Sequence, residues 1–86
     1  MKNKNGYAVD IQDGFGSDVI ELGMFDTDTD AITFAMKVYH RLTTHDTDLT
    51  LSLKVLKAID YMDDTYGEDD VAIMITDNDT NTPIEW

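Results

Sequence analysis

The chain has 86 residues, a length that predicts one domain over residues 1–86 and excludes a second one. Hydrophobic residues make up 42% of it, which excludes a disordered acidic tail and predicts a packed core. Eighteen acids against six bases give a formal net charge of -12, which argues against nucleic acid and anionic lipid as direct partners.

The first segment of the chain predicts a β-hairpin. Its apolar residues alternate with other residues, as in a half-buried strand: they are Tyr7, Val9 and Ile11. Residues 13–18 predict a turn, and residues 19–25 predict a second strand. We expect three of its apolar side chains to share one face: Ile20, Leu22 and Met24.

An amphipathic helix is predicted next. Apolar residues recur at helical spacing: Ala31, Ile32, Ala35, Val38, Tyr39 and Leu42. The acids Asp26, Asp28 and Asp30 precede it with the spacing that begins an EF-hand calcium loop, which also needs Gly at its sixth position and Glu at its twelfth. Because Ala31 and Lys37 stand there, we interpret the three acids as helix capping.

The next segment supports two interpretations after a polar connection over residues 43–48. Four apolar residues alternate as in a strand: Leu49, Leu51, Leu53 and Val55. A longer set forms one helical stripe: Leu51, Val55, Ala58, Ile59, Met62 and Tyr66. Gly67 follows where a helix C-cap glycine belongs, so we predict a helix over residues 50–66, with a strand as the alternative for residues 49–56.

The last part of the chain predicts two strands. Residues 68–70 are expected to form a loop, residues 71–76 a buried strand, residues 77–81 a turn and residues 82–86 a short final strand. Pro83 cannot donate a ladder hydrogen bond, so this strand should lie at an edge. The predicted fold is α+β, roughly ββααββ, with a small antiparallel sheet packed on one or two helices.

Catalytic and metal-binding patterns are not recognisable in the chain. His40 and His45 are the only histidines, no Cys supports them, and their spacing is not that of a metalloprotease helix. The glycine-rich residues 14–17 lack the Lys of a phosphate-binding loop and are flanked by acids. We therefore predict no catalytic residue, no metal site, no cofactor and no enzymatic activity.

The acids are concentrated in the last third of the chain. Residues 1–59 hold nine acids and six bases, whereas residues 60–86 hold nine acids and no base. In the predicted helix, Asp60 has like-charged neighbours three and four residues on, and acids in the last turn oppose the helix dipole. Placements that cost local stability indicate function. The predicted partner-binding residues are Asp60, Asp63, Asp64, Glu68, Asp69, Asp70, Asp77 and Asp79.

In size, acidity, use of 15 Asp against 3 Glu, and the acidic run over residues 60–70, the chain resembles the small DNA-mimic proteins of phages and mobile elements. As a class, these proteins occupy the DNA-binding surface of host proteins such as restriction or CRISPR nucleases, uracil-DNA glycosylase, RNA polymerase and HU-type nucleoid proteins. The resemblance implies an inhibitor of a basic host protein. Because such mimics share no common fold, it implies no role for individual residues.

Two alternatives to DNA mimicry are an acidic adaptor that docks a basic protein, and a structural protein whose acidic face serves solubility alone. The chain has no Cys, and no apolar stretch follows residues 1–5, so we expect it in the cytoplasm, without a membrane partner. A homodimer through an edge strand near Trp86 is a further expectation, because it would lengthen the anionic surface.

Overall fold

The computed structural model describes residues 2–47 and 50–86, which form four strands and two helices in the predicted order ββααββ. Asp48 and Leu49, where the predicted connection ends and the ambiguous stretch begins, lie outside the described residues. The elements are β1 (Lys2–Asp13), β2 (Val19–Thr27), α1 (Asp28–Thr44), α2 (Leu53–Tyr66), a 3-10 turn (Glu68–Asp70), β3 (Val71–Asp77) and β4 (Thr82–Ile84). The α+β prediction is confirmed.

The strands form one antiparallel sheet in the order β2-β1-β3-β4. The last strand is an edge strand, as Pro83 predicted, but it ends at Ile84 rather than at Trp86. The Trp86 indole Nε1 donates a hydrogen bond to the carbonyl oxygen of Ile73 at 3.1 Å. A side chain thus provides the donor for this carbonyl of β3 beyond the end of β4. Its ring also meets Tyr39 edge-on, with centroids 6.5 Å apart.

Both helices pack on one face of the sheet, where three cross-strand rows of side chains point. From β2 to β3 these rows are Phe25, Tyr7 and Asp77; Gly23, Val9 and Ile75; and Ile20, Ile11 and Ile73. The largest fully buried side chains come from this face and from the two helices: Val9, Ile11, Val38, Leu42, Ile59, Met62 and Ile75. Alternation along the strands leaves every second residue on the opposite face, which carries neither helix.

A β-bulge in β2 contradicts the expectation that Met24 shares a face with Ile20 and Leu22. The register shifts by one residue between two adjacent pairs, Val9 with Gly23 and Asp10 with Glu21. Leu22 is therefore an extra residue, and the alternation reverses beyond it. Ile20 and Leu22 pack against the core, whereas Met24 is 56% exposed and Phe25 takes the inner position.

The first helix begins after Thr27, whose Oγ1 accepts a hydrogen bond from the backbone N–H of Asp30 at 3.2 Å. Asp28 and Asp30 lie in the first turn, where negative charge favours the helix dipole, whereas Asp26 belongs to β2. The prediction that these acids stabilise the start of the helix is thus confirmed for Asp28 and Asp30 and is wrong for Asp26. Of the predicted apolar stripe, Tyr39 is exposed on the helix surface.

The second helix confirms the helical interpretation of the ambiguous stretch from Leu53 onward. It begins three residues later than predicted, because the Ser52 Oγ accepts the backbone N–H of Val55 at 3.2 Å and caps the first turn. Gly67, with φ 84°, is the predicted C-cap, and its N–H bonds the carbonyl of Asp63. Neither described helix has the length and apolar character needed to cross a membrane.

Candidate functional site

The turn between β1 and β2 meets the segment that follows α2 at one end of the sheet. The backbone N–H of Gly14 donates to the carbonyl oxygen of Asp70 at 2.7 Å. Within the turn, Asp13 is buried, and its Oδ1 accepts the N–H of Asp18 at 3.0 Å. The bond from Gly14 joins residues 13–18 to residues 64–70, and we call the two segments together the acidic end.

Two tyrosines of α2 anchor the turn. The hydroxyls of Tyr61 and Tyr66 both donate to Oδ2 of Asp18, at 3.0 and 3.1 Å. Burial, the hydrogen bond to Asp18 and the charge of that carboxylate raise the pKa of Tyr66 to about 12. The hydrogen bond to Asp18 also raises the pKa of Tyr61. Both hydroxyls are therefore protonated donors at neutral pH, and the turn is fixed against the helix.

Four carboxylates of the acidic end face solvent without a partner. They belong to Asp64, Glu68, Asp69 and Asp70, which are all exposed. Among the described residues, these carboxylates accept no hydrogen bond and form no ion pair. The 3-10 turn holds three of them on neighbouring residues, with the N–H of Asp70 bonded to the carbonyl of Gly67 at 3.1 Å. The fold thus holds the backbone of these residues in place and displays closely spaced negative charge here.

Positive charge is confined to other parts of the chain. The six bases are Lys2 and Lys4 near the start of β1, Lys37 and Arg41 on α1, and Lys54 and Lys57 on α2. Residues 5–36 and 58–86 therefore contribute no Lys or Arg, and these ranges include both segments of the acidic end, β2, β3 and β4. The two helices therefore carry both acidic and basic side chains, whereas the acidic end carries no base.

Asp60 does not belong to this open array, because Arg41 holds it in an ion pair. The guanidinium Nη2 lies 3.0 Å from both carboxylate oxygens, and Nε donates to Oδ1 at 3.3 Å. The other nitrogen, Nη1, donates to the carbonyls of His45 and Asp46. The Arg41 side chain is only 17% exposed, so this contact ties the end of α1 to α2. The repulsion that the sequence implies at Asp60 is thus compensated.

The remaining predicted residues lie elsewhere. Asp63 is next to the helix junction, with Oδ2 3.6 Å from Nε2 of His45. Asp79 lies at the opposite end of the sheet, where its carboxylate accepts the N–H groups of Lys4 and Asn5 at 2.9 and 3.1 Å. Asp77 Oδ1 accepts the N–H groups of Asp79 and Thr80 in the turn before β4. Four of the eight predicted residues therefore share the acidic end, and four do not.

The acidic end also contains residues that sequence reasoning did not select. Asp18 joins the array through the hairpin turn, and Phe15 stands at the tip of that turn with 93% of its surface exposed. An aromatic side chain flanked by Asp13, Gly14, Gly16 and Asp18 was the available signal, but the pattern alone indicates only a turn. Its proximity to residues 68–70 depends on the tertiary hydrogen bond from Gly14.

Within the described part of the chain, no three His, Asp or Glu side chains converge to form a metal-binding group. A cavity of about 390 Å³ lies on α1 and is lined by Thr33, Met36, Lys37 and His40, away from the acidic end. No protein-family model matches the chain, and comparisons with curated proteins and with solved structures find no significant match.

Proposed function

We propose that this protein is a DNA mimic that binds a basic DNA-binding protein in the cytoplasm of a bacterial host and occupies its nucleic-acid surface. The observation that carries the proposal is the acidic end: four exposed, unpartnered carboxylates and the neighbouring Asp18, with no Lys or Arg in either segment. Such a surface complements the Lys and Arg residues with which a protein binds phosphates.

Charge spacing supports mimicry of a duplex. Duplex DNA presents one negative charge per about 1.7 Å of its axis, in fixed positions along two strands. Glu68, Asp69 and Asp70 present three charges on consecutive residues, and Asp64 lies in the preceding helical turn. Asp has a short side chain, so the backbone largely determines where each charge stands. The 15 Asp residues, against 3 Glu, therefore favour a defined charge pattern.

Rigidity supports a specific complex. The acidic end is joined by the hydrogen bond from Gly14 to Asp70 and by both tyrosine hydroxyls on Asp18. A surface already held in its bound conformation loses less conformational freedom on association. Fixed negative potential also accelerates encounter with a basic partner, an effect that salt weakens.

Phe15 favours the second candidate, an acidic adaptor that docks a basic protein without displacing DNA. Its ring is 93% exposed beside the acidic segment, and DNA has no counterpart to an aromatic side chain projecting from its phosphates. Aromatic residues are frequent anchors of protein interfaces, where they enter a pocket on the partner. In a mimic, the same ring would select one basic protein among many.

Competition with DNA separates the two candidates. A fluorescein-labelled duplex is bound in turn to an HU-type nucleoid protein, an RNA polymerase and a restriction nuclease, and the acidic protein is titrated into each complex. Mimicry predicts that fluorescence anisotropy falls for at least one of them, and that adding more of that DNA-binding protein restores it. An adaptor predicts a complex with a basic protein that forms equally well when DNA is already bound.

A further inference from the structure

The face of the sheet opposite the helices is bare, and we call it the open face. Three cross-strand rows of side chains form it. From β2 to β3 they are Met24, Ala8 and Thr76; Glu21, Asp10 and Met74; and Val19, Gln12 and Ala72. Val19 and Met24, on the edge strand β2, are 51% and 56% exposed, and neither helix packs on this side of the sheet. A second layer is therefore absent from this face within the described chain.

A pair of like charges occupies the middle row. Asp10, on the interior strand β1, pairs directly with Glu21 on β2. Like charges directly opposite each other on antiparallel strands are destabilising. Among the described side chains, neither carboxylate has a hydrogen bond or an ion pair. Partial burial and the charge of Glu21 raise the pKa of Asp10, as expected of a carboxylate that lacks a cation.

Most side chains around this acidic pair are apolar, and the exceptions are Gln12 and Thr76. Met74 lies in the middle row itself, and Met24 lies in a row next to it. The two neighbouring rows also contain Ala8, Ala72 and Val19. Methionine is flexible and adapts to varied partners, so it is common on surfaces that bind several sequences. A Lys or Arg side chain has the complementary form, with an aliphatic stem that covers apolar surface and a charged head.

We infer that the open face is a second recognition surface, which binds an amphipathic basic segment of the partner and places a Lys or Arg head between Asp10 and Glu21. The aliphatic stem of that residue lies along Met24 and Met74. This inference deepens the proposed function and rests on it, because it assigns the same basic partner to both surfaces.

Charge decides between this occupant and a second copy of the chain. Two open faces packed against each other would bring two Asp10–Glu21 pairs together, with no Lys or Arg in the three rows of either face. A basic segment instead removes the repulsion within the pair. The open face also continues into the acidic end, since Gln12 and Val19 border residues 13–18. At about 3.3 Å per residue, Asp10 and Gln12 are about 7 Å apart along β1, so one partner can span both surfaces.

A peptide titration followed by NMR tests the inference on the full chain. The probe is a helical 14-residue peptide of Leu and Lys with all Lys on one side, compared with a Lys and Gln peptide of equal charge. We expect the amphipathic peptide to shift the amide resonances of residues 8–12 and 72–76, and to bind at least ten times more tightly than the polar peptide.

Two variants that each remove two charges provide the control. Asp10→Asn with Glu21→Gln should weaken binding of the amphipathic peptide at least tenfold while leaving the chain folded. Asp26→Asn with Glu85→Gln also removes one Asp and one Glu, from exposed positions off the open face, and should change the affinity less than threefold. Equal effects of the two variants would overturn the inference.

Other outcomes are equally decisive. Shifts confined to residues 13–18 and 64–70 would show that only the acidic end binds basic segments. Concentration-dependent shifts on the open face without peptide, together with a dimer mass in sedimentation, would assign the face to a second copy. Both results overturn this inference while leaving DNA displacement as a separate test of the proposed function. Conversely, peptide binding at the open face without DNA displacement would reject mimicry alone.

Discussion

At the end of the sheet where β3 turns into β4, acidic side chains accept hydrogen bonds from the backbone, whereas residues 68–70 of the acidic end direct their carboxylates to solvent. Asp79 accepts three hydrogen bonds, from the N–H groups of Lys4 and Asn5 and from the Asn5 side-chain amide at 2.7 Å. Glu68, Asp69 and Asp70 accept none with their carboxylates within the described chain. The sequence presents both groups as acidic segments, and only the hydrogen bonds separate them.

A count of acids therefore does not locate a binding surface. A carboxylate that accepts backbone N–H groups stabilises the fold and is partly neutralised by those donors. A carboxylate without a partner contributes repulsion, which is offset only when a cation arrives. Substitution of a partnered carboxylate should therefore lower stability, whereas substitution of an unpartnered one should weaken partner binding and leave stability unchanged.

The largest expected effect is on binding at the acidic end. The triple variant Glu68→Gln, Asp69→Asn, Asp70→Asn should weaken binding to a basic partner by about 100-fold, since each lost interfacial ion pair costs about 1 kcal/mol. The slope of affinity against salt concentration should also flatten. Isothermal titration against the protein from which DNA is displaced measures both quantities.

The matched control is Asp26→Asn, Asp30→Asn, Glu85→Gln, which removes an equal number of charges from exposed residues outside the acidic end. It should weaken binding only a few-fold, because it lowers the negative electrostatic potential of the whole protein without removing a charge from the acidic end. If it weakens binding as strongly as the first variant, net charge rather than the acidic end determines affinity.

At the opposite end, Asp79→Ala should lower the free energy of unfolding by about 1–3 kcal/mol, because two backbone N–H groups and an amide lose their acceptor. Asp70→Ala removes an equivalent carboxylate without a partner and should leave stability unchanged or raise it slightly. Urea denaturation of the two variants measures the difference. Equal destabilisation would contradict a structural role for the Asp79 carboxylate that Asp70 lacks.

The helix junction offers the same contrast within α2. Asp60→Asn breaks the ion pair with Arg41 and should cost about 1–2 kcal/mol, whereas Asp64→Asn, one turn later, should cost nothing measurable. The cost at Asp60 should shrink when its partner is already removed by Arg41→Met, which a double-mutant cycle detects. A full cost at Asp60 in the Arg41→Met background would exclude the ion pair as its cause.

The anchoring of the hairpin turn predicts a dependence on alkaline pH. The folded pKa of Tyr66, about 12, lies above the usual value of 10, so the stabilisation from its protonated hydroxyl is complete below pH 10 and lost as pH rises toward 12. Tyr66→Phe should therefore lower Tm at pH 8, and the difference from the parent should narrow between pH 10 and pH 12. A difference independent of pH would exclude the hydroxyl as its source.

The smallest expected effect is the response of stability to salt. Screening of crowded carboxylates should raise Tm by about 2–4 °C between 20 and 300 mM sodium chloride, which corresponds to about 0.5 kcal/mol. The triple variant of the acidic end should show a smaller rise than its charge-matched control, because it removes the unpartnered carboxylates. Calorimetry on the three proteins provides the measurement, and an equal rise in both variants would contradict local crowding.

Local sequence patterns determined the elements and their order. Tyr7, Val9 and Ile11 alternate and are buried on one face of β1, as predicted. Of the predicted helical stripe, four residues are buried in α2, and Gly67 ends the helix with a positive φ. They are Val55, Ala58, Ile59 and Met62. These features were predictable because periodicity and caps depend on residues within one or two turns of each other.

Tertiary contacts determine which carboxylates are free to bind a partner. The bulge at Leu22 places Met24 on the open face, Arg41 neutralises Asp60 across 19 residues, and Asp79 holds the backbone of Lys4 across 75. The bond from Gly14 to Asp70 likewise brings the hairpin turn to the acidic run and creates one end from two distant segments. Such contacts depend on strand register and on how the helices lie on the sheet, which no local periodicity encodes.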